Sequence, residues 1–126
     1  MNPLTENNCL GLIGELLVQL RLLEYSVQAA PPLQDSGNDL IAIRDGVFRA
    51  IQVKTTKGKR YSQARLPERY DILAVVQLIV ETETVRLDES LIFLIPKEAV
   101  PSAPRTARRL EAFRMTSDHV NFLFSQ

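Results

Sequence analysis

Two stretches of this chain, Ile72 to Val80 and Leu91 to Ile95, are apolar at nearly every position. A surface helix repeats its apolar residues every 3.6 positions, and a strand with one wet face repeats them every second position. A short run with neither period, closed in the second case by Pro96, reads as a strand covered on both faces. Such strands need other elements on each side of their sheet, which points to an α/β architecture. At 126 residues there is room for one such domain, residues 1–126, and not for two. Apolar residues make up 45% and charged residues 24%, the composition of a folded domain and not of a disordered one.

Local signals order the rest. Leu10, Ile13, Leu16, Leu17, Leu20 and Leu23 recur at helical spacing, which predicts a helix ending near Glu24–Tyr25. Gly11 and Gly14 sit inside it, where glycine costs ~1 kcal/mol relative to alanine, so a close backbone approach is expected there. Ser26 to Ala29 starts a strand that Pro31 and Pro32 stop, and Gln34 to Asn38 is turn chemistry. Asp39 to Ile43 is a short strand, Asp45-Gly46 is a hairpin turn, and Val47 to Thr55 is the returning strand. Lys57 to Glu68 reads as an exposed loop, residues 106–113 as a further helix, and Ser117-Asp118 as the cap of a last turn through Phe122. The order predicts a central mixed sheet flanked by helices.

Several classes drop out. One cysteine, Cys9, permits no intrachain disulfide or thiolate cluster, and one histidine, His119, permits no multi-histidine zinc site. The polar N-terminus, Met1 to Asn8, lacks the basic flank and apolar run of a signal peptide. No apolar run approaches a membrane span, so a cytoplasmic chain without a membrane partner is expected.

The net charge is zero, fifteen basic against fifteen acidic residues, yet the charge is unevenly placed. Residues 49–69 carry Arg49, Lys54, Lys57, Lys59, Arg60, Arg65 and Arg69 against Glu68 alone. The flanks, 1–48 and 70–104, are each four charges negative. An acidic scaffold therefore cancels one strongly basic block, where a phosphate backbone would find its countercharge.

Four polar positions interrupt apolar patterns beside that block. Glu15 sits between Ile13 and Leu16, Asp39 opens a strand, and Gln52 and Lys54 alternate with Ile51 and Val53. The two-residue period puts Gln52 and Lys54 on one strand face. Residues 39 and 52 are nearly symmetric about the Asp45-Gly46 turn, so the hairpin returns Gln52 beside Asp39. A hard cation such as Mg²⁺ takes oxygen ligands. Asp39, Gln52 and the Val53 carbonyl are such donors, and Glu15 is placed to orient a water or hold a second ion. Lys54 is placed to steady developing negative charge. These are the parts of metal-assisted phosphodiester hydrolysis. Each has a plainer reading alone: Asp39 as a turn residue, Glu15 as a solvated helix position, Gln52 and Lys54 as the polar face of a strand.

The series Gly14-Glu15, Asp39 and Gln52-Val53-Lys54 resembles the PD-(D/E)XK nuclease superfamily, whose pattern is a helix glutamate, a turn aspartate and a hairpin strand ending in Glu-x-Lys or Gln-x-Lys. It is most similar to small Holliday junction resolvase-like and intron homing endonuclease-like members, over about residues 10–56. The resemblance implies a restriction-endonuclease-like fold and a Mg²⁺- or Mn²⁺-dependent endonuclease acting on DNA as a homodimer or higher homo-oligomer. By it, Asp39 is the central metal ligand, Gln52 the second motif position, Lys54 the catalytic lysine and Glu15 the helix acid. Arg49, Lys57, Lys59, Arg60, Arg65 and Arg69 become the expected nucleic-acid contacts. Asn38 stands where the motif's proline would be, and Gln52 replaces the usual acid. A neutral amide cancels no charge on Mg²⁺. The alternative is therefore a catalytically weak or inactive nuclease-fold protein that binds nucleic acid or serves a larger complex. Arg105, Arg108 and Arg109 form either a second phosphate patch or the solvated face of a helix.

Overall fold

The computed structural model describes residues 3–34 and 37–126, with the backbone alone for residues 3–8. Asp35 and Ser36 of the expected turn lie outside the described residues. The elements are α1 (Pro3–Leu23), β1 (Gln28–Ala30), β2 (Leu40–Arg44), β3 (Val47–Thr56), β4 (Ile72–Gln77), β5 (Val80–Glu81), β6 (Thr84–Val85), β7 (Leu91–Pro96) and α2 (Ser117–Leu123). Short 3₁₀ segments cover Lys97–Ala99 and Ala107–Phe113.

Five strands form one sheet in the order β1-β2-β3-β4-β7, and β5 pairs with β6 in a second, two-stranded sheet. Within the large sheet, β3 and β4 are parallel and the other neighbours antiparallel. The β2–β3 hairpin turns where expected, with Asp45 and Gly46 both at positive φ, 51° and 78°. That is the backbone of a type I′ turn, whose twist matches that of the strands. The parallel β3–β4 pair needs a crossover, and the long loop 57–71 supplies it.

Successive residues of β4 and β7 enter different cores. Ile72, Ala74, Val76, Ile92 and Leu94 pack with Leu17, Val18 and Leu22 of α1 and with Val120 and Leu123 of α2. Leu73, Val75, Phe93 and Ile95 pack on the opposite face with Tyr61, Tyr70, Ala107 and Leu110. This two-sided burial is why neither strand shows a period. The result is a mixed α/β fold with helices flanking a five-stranded sheet. Among the described residues no helix is long and apolar enough to cross a membrane.

Three expectations change. The element at 107–113 is 3₁₀ and not α, with Ala107 and Leu110, three residues apart, both buried. Three residues per turn puts that pair on one face. The apolar run from Ile72 ends as a strand at Gln77, and β5 and β6 follow as a hairpin with Thr82 and Glu83 at positive φ. Nothing local signals that turn, because such positions usually carry glycine or asparagine. The leucines of α1 also split into two stripes. Leu10 and Leu17 are buried, whereas Leu16, Leu20 and Leu23 lie more than half exposed, together with Leu12.

The two glycines of α1 separate as well. A Cβ on Gly14 would stand 1.9 Å from Thr55 Oγ1, whereas one on Gly11 meets nothing within 4 Å. Only Gly14 lets helix and strand touch. Gly14→Ala should therefore lower the melting temperature, and Gly11→Ala should raise stability by up to ~1 kcal/mol through helix propensity. Leu17→Ala should cost about 2–5 kcal/mol and Leu16→Ser less than about 0.5 kcal/mol. Denaturant melts of the four variants check both contrasts.

Candidate functional site

β2 pairs with β3 only as far as Leu40 opposite Ile51, and β3 runs on to Thr56. Its last residues keep β4 on one side and, among the described residues, have an open edge on the other. Asp39 closes the start of that edge. Its N–H donates to Ile51 O at 3.2 Å, and its Oδ2 accepts from Val53 N at 2.8 Å. The N–H and C=O of one strand residue point to the same side, so the Val53 carbonyl faces this edge as well. One step beyond the Leu40–Ile51 pair, Gln52 lies opposite Asp39.

Gln52 is 9% exposed, and its Oε1 is buried with no hydrogen-bond partner. Leaving a buried acceptor unpaired costs about 1–3 kcal/mol. Lys54, two residues on, donates from Nζ to Ala64 O at 2.7 Å, so the crossover loop aims its ammonium. Glu15 reaches the same place from α1, whose approach Gly14 permits. Glu15, Asp39, Gln52, Val53, Lys54 and Lys57 line one cavity of about 500 Å³. Gly11 is part of its wall and leaves it open.

Burial first, and the charge of Asp39 second, hold the Glu15 carboxyl above its ordinary value of 4.5. Two carboxylates thus share a cavity with an unpaired amide oxygen and a backbone carbonyl. All four donors are oxygens, the set a hard cation takes, and the orphaned Gln52 Oε1 fits such an ion. Among the described residues no three His, Cys, Asp or Glu side chains are grouped to hold a metal by themselves. The amide and the carbonyl would have to complete any shell.

The basic residues disperse more than their sequence block suggests. Lys57 lines the cavity, and Lys59, Arg60 and Arg65 are exposed on the loop that follows. Arg69 lines a different cavity, of about 400 Å³, beside Asn38, Tyr70, Asp71 and Lys97. Arg49 lies apart from the group. Its guanidinium donates to Leu123 O at 2.8 Å and Ser125 O at 2.9 Å, tying the end of α2 to the sheet. An odd-numbered residue of β3 faces α1 and α2, away from Gln52 and Lys54, which is the physical reason. The Ala64 carbonyl that holds Lys54 carries no side-chain signal that a sequence reading could find.

No protein-family model matches the sequence, and no curated protein does. The fold is similar to the solved structure of a bacterial homing endonuclease, with a TM-score of 0.60 and 19% identity over 90% of this chain and 88% of that one. The chain thus has an α/β fold of the kind seen in an endonuclease.

The raised Glu15 has a consequence for stability. The contribution of the protonated carboxyl is full below 4.5 and is lost as pH rises through the higher folded value. Glu15→Gln, which cannot ionise, should melt at a higher temperature than the wild-type chain at about pH 7, with the gap closing near about pH 4. Thermal melts of both proteins across that range check it.

Proposed function

We propose that this chain is a metal-dependent endonuclease that hydrolyses DNA phosphodiester bonds. The observation that carries the reading is the unpaired, buried Gln52 Oε1, set beside Asp39, Glu15 and Lys54 in one cavity at an open strand edge. The similarity of fold to a homing endonuclease supports the same reading.

Asp39, Gln52 Oε1 and the Val53 carbonyl would hold Mg²⁺ or Mn²⁺, with Glu15 across the cavity. The ion supplies charge neutralisation at the phosphate and a more acidic water. Asp39 is fixed for that task, because the Val53 N–H occupies Oδ2 and leaves Oδ1 to bind. Glu15, with its raised proton affinity, orients the attacking water and takes its proton. Lys54 spends one of its three N–H bonds on Ala64 O and presents the others to the developing phosphate charge. Lys57, Lys59, Arg60 and Arg65 contact the DNA backbone. A homo-oligomer in the cytoplasm is part of the proposal, and sedimentation of the purified chain tests the assembly.

The second reading, a nuclease-fold protein that binds DNA without cutting, rests on Gln52. With Asp39 and Glu15 the only carboxylates among the described residues that line the cavity, the site brings less negative charge to a divalent ion than an acid at position 52 would.

Purified protein is incubated with plasmid, linear and branched DNA, with Mg²⁺ or Mn²⁺ and with chelator. Wild type should cut only with metal. Lys54→Ala should lose about 10²-fold or more of the rate, and Asp39→Ala should lose all detectable cutting. Gln52→Glu should lower the Mg²⁺ concentration needed for half-maximal cutting. Cutting that persists in Asp39→Ala, or DNA binding by wild type with no cutting under any condition, sinks the endonuclease reading.

A further inference from the structure

We infer that Arg105, Arg108 and Arg109 join Lys59 and Arg60 in one track for the phosphate backbone of duplex DNA, leading away from the candidate site at Lys57. The inference rests on the nucleic-acid reading above and adds a surface to it.

The track is built by backbone hydrogen bonds between segments far apart in sequence. Tyr61 N donates to Arg105 O at 3.1 Å, and Ala107 N donates to Lys59 O at 2.8 Å. Arg60 and Thr106 form an antiparallel bridge between them. The two basic segments are thus zipped side by side. The platform beneath is pinned. Tyr61 is buried, its hydroxyl donates to Pro104 O at 2.9 Å, and Gln63 Nε2 donates to Tyr61 Oη at 3.1 Å and to Val100 O at 3.0 Å. Ala107 and Leu110 point inward, which leaves Arg108 and Arg109 exposed. Arg105 is half-buried and donates to Ala103 O.

The charge on this surface is uncompensated. Residues 57–67 and 99–110 contain no Asp or Glu. Among the described residues none of the five cations has a carboxylate within ion-pair distance. Glu81, Asp88 and Glu89 surround Arg86 instead, and that segment leans on α1, where Arg21 Nη2 donates to Leu87 O at 3.5 Å. These acids lie on the α1 side of the sheet, away from the track. Gathering like charges costs free energy in the free protein, and the backbone zipper sustains it. A duplex, with one negative charge per ~1.7 Å of axis, supplies the matching countercharge. The track also meets the site directly. Lys57 lines the cavity, and Gln77 Nε2 fixes the next residue by donating to Gly58 O at 3.1 Å.

The test is binding of a duplex oligonucleotide, followed by fluorescence anisotropy in chelator over a salt series. The proteins are wild type, Arg108→Ala/Arg109→Ala and Arg108→Lys/Arg109→Lys. The alanine pair should bind about 10-fold or more weakly, and its slope of log K against log salt should shrink by about 1.8, or ~0.9 per lost phosphate contact. The lysine pair should keep the slope. Circular dichroism and melting of the same samples confirm that each variant is folded, as exposure of both arginines leads one to expect. An unchanged slope and affinity in the alanine pair, with wild type still binding and cutting, overturns the track and leaves the endonuclease reading standing. A loss in the lysine pair equal to that in the alanine pair also overturns it, since charge would not be the operative property. A wild type that binds no duplex at any salt overturns both.

Discussion

The hydrogen bond from Val53 N to Asp39 Oδ2 stands at the point where β2 leaves β3. A strand edge presents N–H and C=O groups that need partners. Up to Ile51 the β2 backbone supplies them, and at Val53 a side chain takes over. The sheet can then open without stranding a donor, and the opening becomes a cavity. Glu15 enters it because Gly14 brings α1 onto Thr55, and Lys54 enters because β3 alternates and the crossover loop offers Ala64 O. What remains unpaired is the Gln52 amide oxygen. Among the described residues Asn38 Oδ1, one residue before Asp39, is likewise buried without a partner, so both unpaired atoms lie where the sheet opens.

Charge follows the same layering. The zero net charge is an average over segments of unlike sign. Crossover loop 57–71 and the segment 104–109 lie on the face opposite α1, and both are basic. The acidic hairpin region lies with α1. Arg49 shows how sharply the sheet sorts these groups. It sits three residues before Gln52, yet strand alternation sends it to the carbonyls at the end of α2.

Much of this was legible in the residues. The Asp45-Gly46 turn sets the hairpin, and with it the meeting of Asp39 and Gln52, because two-residue loops fix register. The runs of β4 and β7 announce two-sided burial, because no periodicity survives when both faces are covered. Less legible were features whose cause lies elsewhere in the chain. The outward stripe of Leu12, Leu16 and Leu20 has the same local pattern as the buried one, and only the strand beneath selects between them. The Thr82-Glu83 turn contradicts local preference, and the 3₁₀ segment at 107–113 takes its period from the core it covers.

The sequence by itself determined the α/β class, the hairpin and the side chains that meet on it, since these depend on hydrophobic period and turn chemistry acting over a few residues. Tertiary structure decided which cations stay together. It removed Arg49 from the basic block and placed Arg105, Arg108 and Arg109 beside Lys59 and Arg60. The reason is physical. Side-chain direction on a strand is local, but the neighbour of a loop is chosen by the long-range backbone pairing that buries the core beneath it.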